Sequence, residues 1–252
     1  MTSTSANPYD LDPGEIYGPL RPRKKTHGFR RVIGILIWIV LILHLYAIAL
    51  RIAPVPGTVL MVQRAMAGQK IQKDWTPIEN ISEHLPRAIM GGEDSRFCEH
   101  PGIDVAAIQS AISDNAQGGS RRGGSTISQQ SAKNVFLWNG GSYARKAVEA
   151  WLSIYTNTVW GKRRTMEIYL NVAEWGDGIF GAEAAAQSRF GKSAKNLTPR
   201  EAALLAAVLP SPNKWRLDPP SEFVSGRAKT LMQRAEVIRT SRYDSCLGLE
   251  NR

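Results

Sequence analysis

GGEDSRFCEHPGID, residues 91–104, brings two adjacent carboxylates, an arginine, a cysteine, a third carboxylate and a histidine into one short span. Phe97 and His100 follow Glu93 at helical spacing, so in a helix they would lie on the side of Glu93. Asp94 would point elsewhere, because neighbouring residues do not share a helix face. The simplest interpretation is a helix end whose carboxylates favour the helix dipole. The rest of the chain decides whether a catalytic interpretation is stronger.

Length and composition indicate one folded domain with an appendage. The chain has 252 residues, a hydrophobic content of 43% and a formal net charge of +10. This charge predicts attraction to an anionic partner, such as nucleic acid, anionic lipid or a phosphorylated substrate. Two cysteines, Cys98 and Cys246, are too few for a disulfide framework, and the four histidines show no metal-ligand spacing. We expect Cys98 to be a small buried residue, and the sequence does not say whether the two cysteines pair.

An apolar run, VIGILIWIVLILHLYAIAL at residues 32–50, predicts a membrane anchor. Its nineteen residues reach about 29 Å as a helix, close to the roughly 30 Å of a bilayer core. Basic residues crowd only its N-terminal side, which predicts a cytoplasmic N-terminus and a periplasmic remainder. The alternatives are a cleaved signal peptide, with AIA at 47–49 as the cleavage site, and a buried helix. Length and the basic flank favour a retained anchor.

The remaining chain is predicted to be mainly α-helical. Residues 1–31 are polar and proline-rich and are expected to be a disordered cytoplasmic tail, and 241–252 are expected to be a C-terminal tail. Between them, residues 51–240 repeatedly place apolar side chains at intervals of three and four. Thr198, Pro199 and Glu201 give one of these helices an N-cap, a first-turn proline and a capping-box glutamate.

Two polar stripes follow a glycine-rich segment, QGGSRRGGST at residues 117–126. A loop of this kind leading into a helix N-terminus presents free N–H groups to an anion. The stripes on the following helix consist of Ser125, Gln129 and Lys133 on one face and Thr126, Gln130 and Asn134 on the adjacent face. A solvated face is the alternative. Further on, RKAVE at 145–149 contains Arg145 and Glu149, which an ordinary salt bridge would explain.

In combination and in this order, the blocks EDSRFCEHPGID, GGSTISQQSAKN, RKAVE and MEIYLNVAEWG resemble those of the peptidoglycan glycosyltransferases, glycosyltransferase family 51. Within this family, the chain is most similar to the monofunctional biosynthetic peptidoglycan transglycosylases. The resemblance covers residues 58–220. It implies a mainly α-helical, lysozyme-like fold with a smaller lobe that contacts the membrane. It also implies the substrate lipid II, a disaccharide-pentapeptide on undecaprenyl pyrophosphate, and transfer with inversion to the 4-hydroxyl of the acceptor GlcNAc.

The resemblance also assigns roles to residues. Glu93 is expected to be the general base and Glu149 the second catalytic carboxylate, near the donor. Lys133, Arg145 and Lys146 are the candidates for the pyrophosphate. The remaining expected substrate-binding residues are Asp94, Phe97, His100, Ser125, Thr126, Gln129, Gln130 and Asn134. No cofactor is expected to be obligatory, and a divalent cation, Mg²⁺ or Mn²⁺, is left open.

Gly141 departs from the family pattern, because a basic residue is common at this position. One contact to the pyrophosphate is therefore in doubt. Arg121 or Arg122 is the candidate to compensate. A penicillin-binding transpeptidase module is excluded, because its motifs are absent or in the wrong order. The rival functions are a lysozyme-like hydrolase or lytic transglycosylase and a non-catalytic glycan-binding scaffold. Expected partners are lipid II, nascent glycan strands, the inner membrane and proteins of cell-wall synthesis and division, with no nucleic acid.

Overall fold

The computed structural model describes residues 27–116, 124–141 and 143–249. Most of the predicted tail at 1–31, both loop arginines at 121 and 122, and the last three residues lie outside these ranges. The described residues form nine α-helices, three short strands and three 3₁₀ helices, which confirms the prediction of a mainly α-helical fold. The chain divides into two compact units, Met1–His44 and Leu45–Arg252.

The first unit contains most of α1 (His27–Ala49). Its segment Arg30–Ala49 is long and apolar enough to cross a membrane, judged by length and composition. Nearly all described side chains of this unit are exposed, as expected of a helix that has lipid as its solvent. The structure therefore provides a helix where the sequence predicts an anchor at 32–50.

The second unit begins inside the last turns of α1. Ala47 and Leu50 are buried there. The indole N–H of Trp160 donates to the Ala47 carbonyl at 2.8 Å, and Arg164 Nε donates to the Leu50 carbonyl at 3.0 Å. The last carbonyls of a helix lack intrahelical partners, and these two side chains supply them. The end of α1 is thus part of the folded domain.

The remaining elements follow in chain order. The helices are α2 (Val59–Met66), α3 (His84–Glu93), α4 (Val105–Ala116), α5 (Ile127–Phe136), α6 (Tyr143–Val172), α7 (Ala182–Phe190), α8 (Pro199–Val208) and α9 (Glu222–Thr240). The strands are β1 (Gln72–Lys73), β2 (Glu174–Gly176) and β3 (Ile179–Phe180), arranged in the order β1-β3-β2. β1 runs parallel to β3, with Gln72 opposite Ile179, and β2 runs antiparallel to it.

The main core lies where α3, α8 and α9 pack against one another, and α5 packs along α6. The predicted capping box of α8 is present, since Thr198 Oγ1 accepts from the Glu201 N–H and Glu201 accepts from the Thr198 N–H. Phe97 is fully buried in this core. A separate small cluster of Ala132, Leu137 and Leu152 joins α5 to the first half of α6.

α6 changes direction at Gly161, which has φ 74° and ψ 170°. This left-handed backbone favours glycine, because a Cβ would strain it. The break divides α6 into a first half, with exposed apolar side chains, and a second half, which contributes Met166, Tyr169 and Leu170 to the main core. The glycine therefore allows one helix to expose apolar side chains along its first half and to pack into the main core along its second half.

Cys98 and Cys246 form a disulfide across 148 residues of sequence, with Cα atoms 5.6 Å apart. Our expectation that Cys98 is merely a small buried residue is therefore wrong. The C-terminal segment, which carries little signal in the sequence, is folded as far as Leu249. Asp244, Leu247 and Leu249 are all buried in it. The bridge forms because packing of this segment brings Cys246 to the loop that contains Cys98.

Candidate active site

Glu93 is the last residue of α3, and Asp94 caps the helix. The helix therefore does not continue through Phe97 and His100, and the prediction that these two lie on the side of Glu93 is wrong. Residues 94–102, which we call the active-site loop, instead turn back toward α5. The two adjacent carboxylates consequently face different surroundings, and each has its own set of partners.

The Glu93 carboxylate is held by an amide. Gln130 Nε2 of α5 donates to Glu93 Oε2 at 2.8 Å, and the Gln130 carbonyl accepts from the Tyr169 hydroxyl at 3.4 Å. Burial, followed by the charges of Glu93 and Asp94, raises the pKa of Tyr169 well above its ordinary value, so its hydroxyl stays protonated and donates. This fixes the orientation of the Gln130 amide, with its N–H₂ group toward Glu93.

Asp94 is buried and joins the active-site loop to the start of α5. It accepts from the Ile127 N–H at 3.0 Å and lies 2.9 Å from His100 Nε2. The Gly102 N–H donates to His100 Nδ1 at 3.2 Å, so the imidazole proton is on Nε2 and points to Asp94. A carboxylate at a helix N-terminus is also favoured by the helix dipole. Asp94 and His100 therefore hold the loop in place.

The start of α5 is fixed by a capping box. Thr126 Oγ1 accepts from the Gln129 N–H at 3.1 Å, and Gln129 Oε1 accepts from the Thr126 N–H at 2.9 Å. The Thr126 hydroxyl donates to the Gly102 carbonyl at 2.6 Å. Gly102 has φ 128°, and a Cβ there would lie 2.7 Å from the Ser153 carbonyl oxygen. Only glycine allows this close approach of the loop to α6.

A cationic cluster forms where α5 and α6 meet, from Lys133, Arg145 and Lys146 with Glu149. Arg145 Nη1 donates to Glu149 Oε2 at 2.8 Å, Lys146 pairs with the other carboxylate oxygen, and Lys146 Nζ also donates to Ser125 Oγ at 2.8 Å. Burial lowers the pKa of Lys133, and the Glu149 charge opposes that shift. Three cations and one carboxylate leave two net positive charges, which suits an anionic ligand.

A cavity of about 150 Å³ lies between the end of α3 and the start of α5. Glu93, Asp94 and Ser95 line one side of it, and Gly124, Ser125 and Thr126 line the other. Ser125 is the residue that Lys146 contacts, so the cavity reaches from the Glu93 carboxylate to the edge of the cationic cluster. The charged residues of its lining are Glu93, Asp94, Asp104 and Arg234, and the cationic cluster touches this lining through the contact of Lys146 with Ser125.

Asp94, His100 and Asp104 bring possible metal-ligand atoms within 4.8 Å of one another. Each of them already has partners within the protein, however. Asp104 pairs with Arg96 and accepts from the Ala107 N–H at 2.8 Å. Both Glu149 oxygens are likewise taken by cations. Neither group therefore fits a divalent cation as arranged here.

Comparison with known proteins settles the family. A family model described as Transglycosylase matches residues 60–236, more than half of the chain. The chain belongs to the transglycosylase family. A biosynthetic peptidoglycan transglycosylase of Caulobacter vibrioides is 48% identical over 198 residues, covering 79% of this chain and 86% of that protein. Proteins of the same name from Ectopseudomonas mendocina and Rhodospirillum centenum are each 45% identical, over 85% and 86% of this chain and 91% and 95% of their own lengths.

This transglycosylase brings together most of the residues that the sequence suggested. Glu93, Ser125, Gln130, Lys133, Arg145, Lys146 and Glu149 surround the cavity or the cationic cluster. Asp94, His100, Thr126 and Gln129 make contacts within the protein, so their binding of substrate stays a prediction. Asn134 is half-buried on α5. Gly141 lies against the Arg145 side chain, where a Cβ would meet Arg145 Cδ at 3.0 Å.

Three residues around Glu93 were missed by the sequence reasoning. Tyr169 orients Gln130, and Arg227 Nη2 of α9 lies 3.9 Å from Glu93 Oε1. Lys162 Nζ lies 4.3 Å from the centre of the Phe97 ring and has no hydrogen-bond partner in the described part of the chain. Burial lowers the pKa of Lys162 to about 8, against the opposing charge of Asp94. Tyr169 lies within the MEIYLNVAEWG block, and Lys162 lies shortly before it. This block was the sequence signal that could have pointed to both residues.

Proposed function

We propose that this peptidoglycan transglycosylase polymerises lipid II, with undecaprenyl pyrophosphate as the leaving group. The observation that carries the proposal is that Glu93 lines a cavity together with Ser125, the residue that Lys146 of the cationic cluster contacts, because the reaction needs both a base and cations. Glu93 takes the proton of the acceptor 4-hydroxyl as its oxygen attacks the anomeric carbon of the donor. The bond to the pyrophosphate breaks, its oxygen keeps the electron pair, and the configuration is inverted.

The cations act on the leaving group. Lys133, Arg145 and Lys146 would stabilise the charge that develops on the pyrophosphate as the bond breaks. Glu149 holds Arg145 and Lys146 in position, so we assign it a supporting role at the donor side. Because these side chains already supply the positive charge and take both Glu149 oxygens, we propose that Mg²⁺ or Mn²⁺ is not obligatory.

The proposed reaction takes place at the membrane. We propose that Arg30–Ala49 anchors the enzyme in the inner membrane, with a cytoplasmic N-terminus and a periplasmic catalytic domain. The first half of α6 and the residues before it also expose apolar side chains, which would contact the bilayer surface near the lipid substrate. These are Trp138, Tyr143, Val148, Trp151 and Ile154.

The test is incubation of the detergent-solubilised enzyme with labelled lipid II, followed by separation of the products by length. We expect long strands from the wild type and none from Glu93→Gln. The matched control is Glu99→Gln, an exposed carboxylate of the same loop, which should polymerise normally. Digestion of the product by a muramidase specific for β-linkages tests inversion.

Two arms complete this test. Activity should persist in a chelator, since the cationic cluster takes the place of a metal. If lipid II remains intact while preformed glycan is cut, the enzyme is a hydrolase or lytic transglycosylase and the proposal is wrong. If neither substrate changes, although the folded protein binds glycan, the non-catalytic scaffold replaces it.

A further inference from the structure

The active-site loop, residues 94–102, has no helix or strand of its own to hold it. On its inner side, Asp94, Phe97 and His100 are buried and contact the rest of the site. On its outer side, Arg96 and Glu99 are exposed, and Arg96 pairs with Asp104. The loop begins directly after Glu93, so any displacement of the loop moves the backbone that carries the general base.

The C-terminal segment, residues 241–249, is joined to this loop by a disulfide. It is itself firmly attached to the domain. Arg87 Nε of α3 donates to Asp244 Oδ2 at 2.6 Å, and both side chains are buried. Arg163 of α6 donates to the Leu247 carbonyl, and Leu247 and Leu249 lie in the main core. The segment therefore provides a fixed point.

The disulfide joins this fixed point to the middle of the loop. Cys98 directly follows Phe97 and precedes His100 by two residues, and Cys246 lies in the 3₁₀ helix Ser245–Leu247. The Cα separation of 5.6 Å is typical of a disulfide. Both cysteines are half-buried, so a small reductant can reach the bond. The bond thus restrains the middle of the loop, between the buried Phe97 and the buried His100.

We propose that the Cys98–Cys246 disulfide is a positioning element of the active site, and that full activity requires the oxidised enzyme. Formation of the bond releases two protons and two electrons from the two thiols. A disulfide-bonded thiol oxidoreductase of the oxidising compartment would accept them and become a dithiol. This inference rests on the proposed function in two respects: the substrate is lipid II, and the catalytic domain lies in an oxidising compartment.

A positioning role is distinct from a role in stability alone. Displacement of a reacting group by about 1 Å can cost about a hundredfold in rate even when the fold persists. Reduction would leave the Arg87–Asp244 pair and the buried leucines in place, so the segment and the main core should remain folded. The loop would then lose its disulfide restraint while the rest of the domain stays intact.

The experiment compares one protein sample in three states: oxidised, reduced with dithiothreitol, and reoxidised with oxidised glutathione. Hydrogen exchange is measured for peptides covering 91–104 and, as an internal reference, for α8 at 199–208. We expect faster exchange in 91–104 after reduction and unchanged exchange in α8. Polymerisation of lipid II should fall at least about fivefold and return on reoxidation.

The matched control is the double variant Cys98→Ser, Cys246→Ser. It should resemble the reduced enzyme and should not respond to dithiothreitol, which separates loss of the bond from other effects of the reductant. A reduced, folded enzyme that polymerises at the oxidised rate would overturn the proposal. Equal acceleration of exchange in α8 and in the loop would also overturn it, because the bond would then stabilise the whole domain only. If the oxidised enzyme fails on lipid II, the proposed function fails, whereas the exchange result still tests the loop.

Discussion

Replacement of Asp94 by Asn should separate the roles of the two adjacent carboxylates. The Asp94 carboxylate accepts from the Ile127 N–H at 3.0 Å and from His100 Nε2–H at 2.9 Å. An asparagine has only one carbonyl oxygen, so its N–H₂ group must face one of these two donors. Asp94 is 8% exposed, and it lines the cavity.

The magnitude follows from these contacts. A hydrogen bond to a charged group contributes about 1.5–3 kcal/mol, and a buried donor left without an acceptor costs about 1–3 kcal/mol. We expect Asp94→Asn to lower the free energy of unfolding by about 3 kcal/mol. Glu93→Gln should lower it by less than about 1 kcal/mol, because its carbonyl oxygen can still accept from the Gln130 amide.

Urea unfolding followed by circular dichroism measures both stabilities, and lipid II polymerisation at a temperature where each variant is folded measures both activities. We expect Glu93→Gln to be folded and inactive, and Asp94→Asn to be destabilised and partly active. Equal stability of Asp94→Asn and the wild type would refute the structural role of Asp94. Full activity of Glu93→Gln would refute the assignment of the general base.

Two further predictions concern lysines. Lys133→Ala should reduce polymerisation about a hundredfold, since it removes a cation at the leaving group, whereas Lys133→Arg should retain most of the rate. Unfolding of Lys133→Ala at the assay temperature would instead indicate a structural role for this helix. Burial lowers the pKa of Lys162 from 10.5 to about 8, so the unfolded chain binds more protons between these values and stability should rise with pH there. Lys162→Met should lose this rise, as measured by urea unfolding at several pH values, and an identical pH dependence in both proteins would contradict the buried cation.

The sequence by itself predicted the mainly helical fold and the start of α8, because periodicity and caps act over a few residues. The capping residues Thr198 and Glu201 mark the start of α8, and Thr126 and Gln129 mark the start of α5. The second pair was interpreted as part of a substrate-binding surface, since a capping box and a polar stripe use the same residue types. The apolar run at 32–50 likewise predicted the helix that contains it.

The order of the blocks, more than any single residue, determined the family and hence the candidate base at Glu93. Only the tertiary structure decided which residues contact one another in the active site. Gln130 reaches Glu93 across 37 residues, Ile127 reaches Asp94 across 33, and Cys246 reaches Cys98 across 148. These contacts depend on how α3, α5, α6 and the C-terminal segment pack. Local patterns do not specify such packing, because the same periodicity and caps are compatible with many arrangements of the helices.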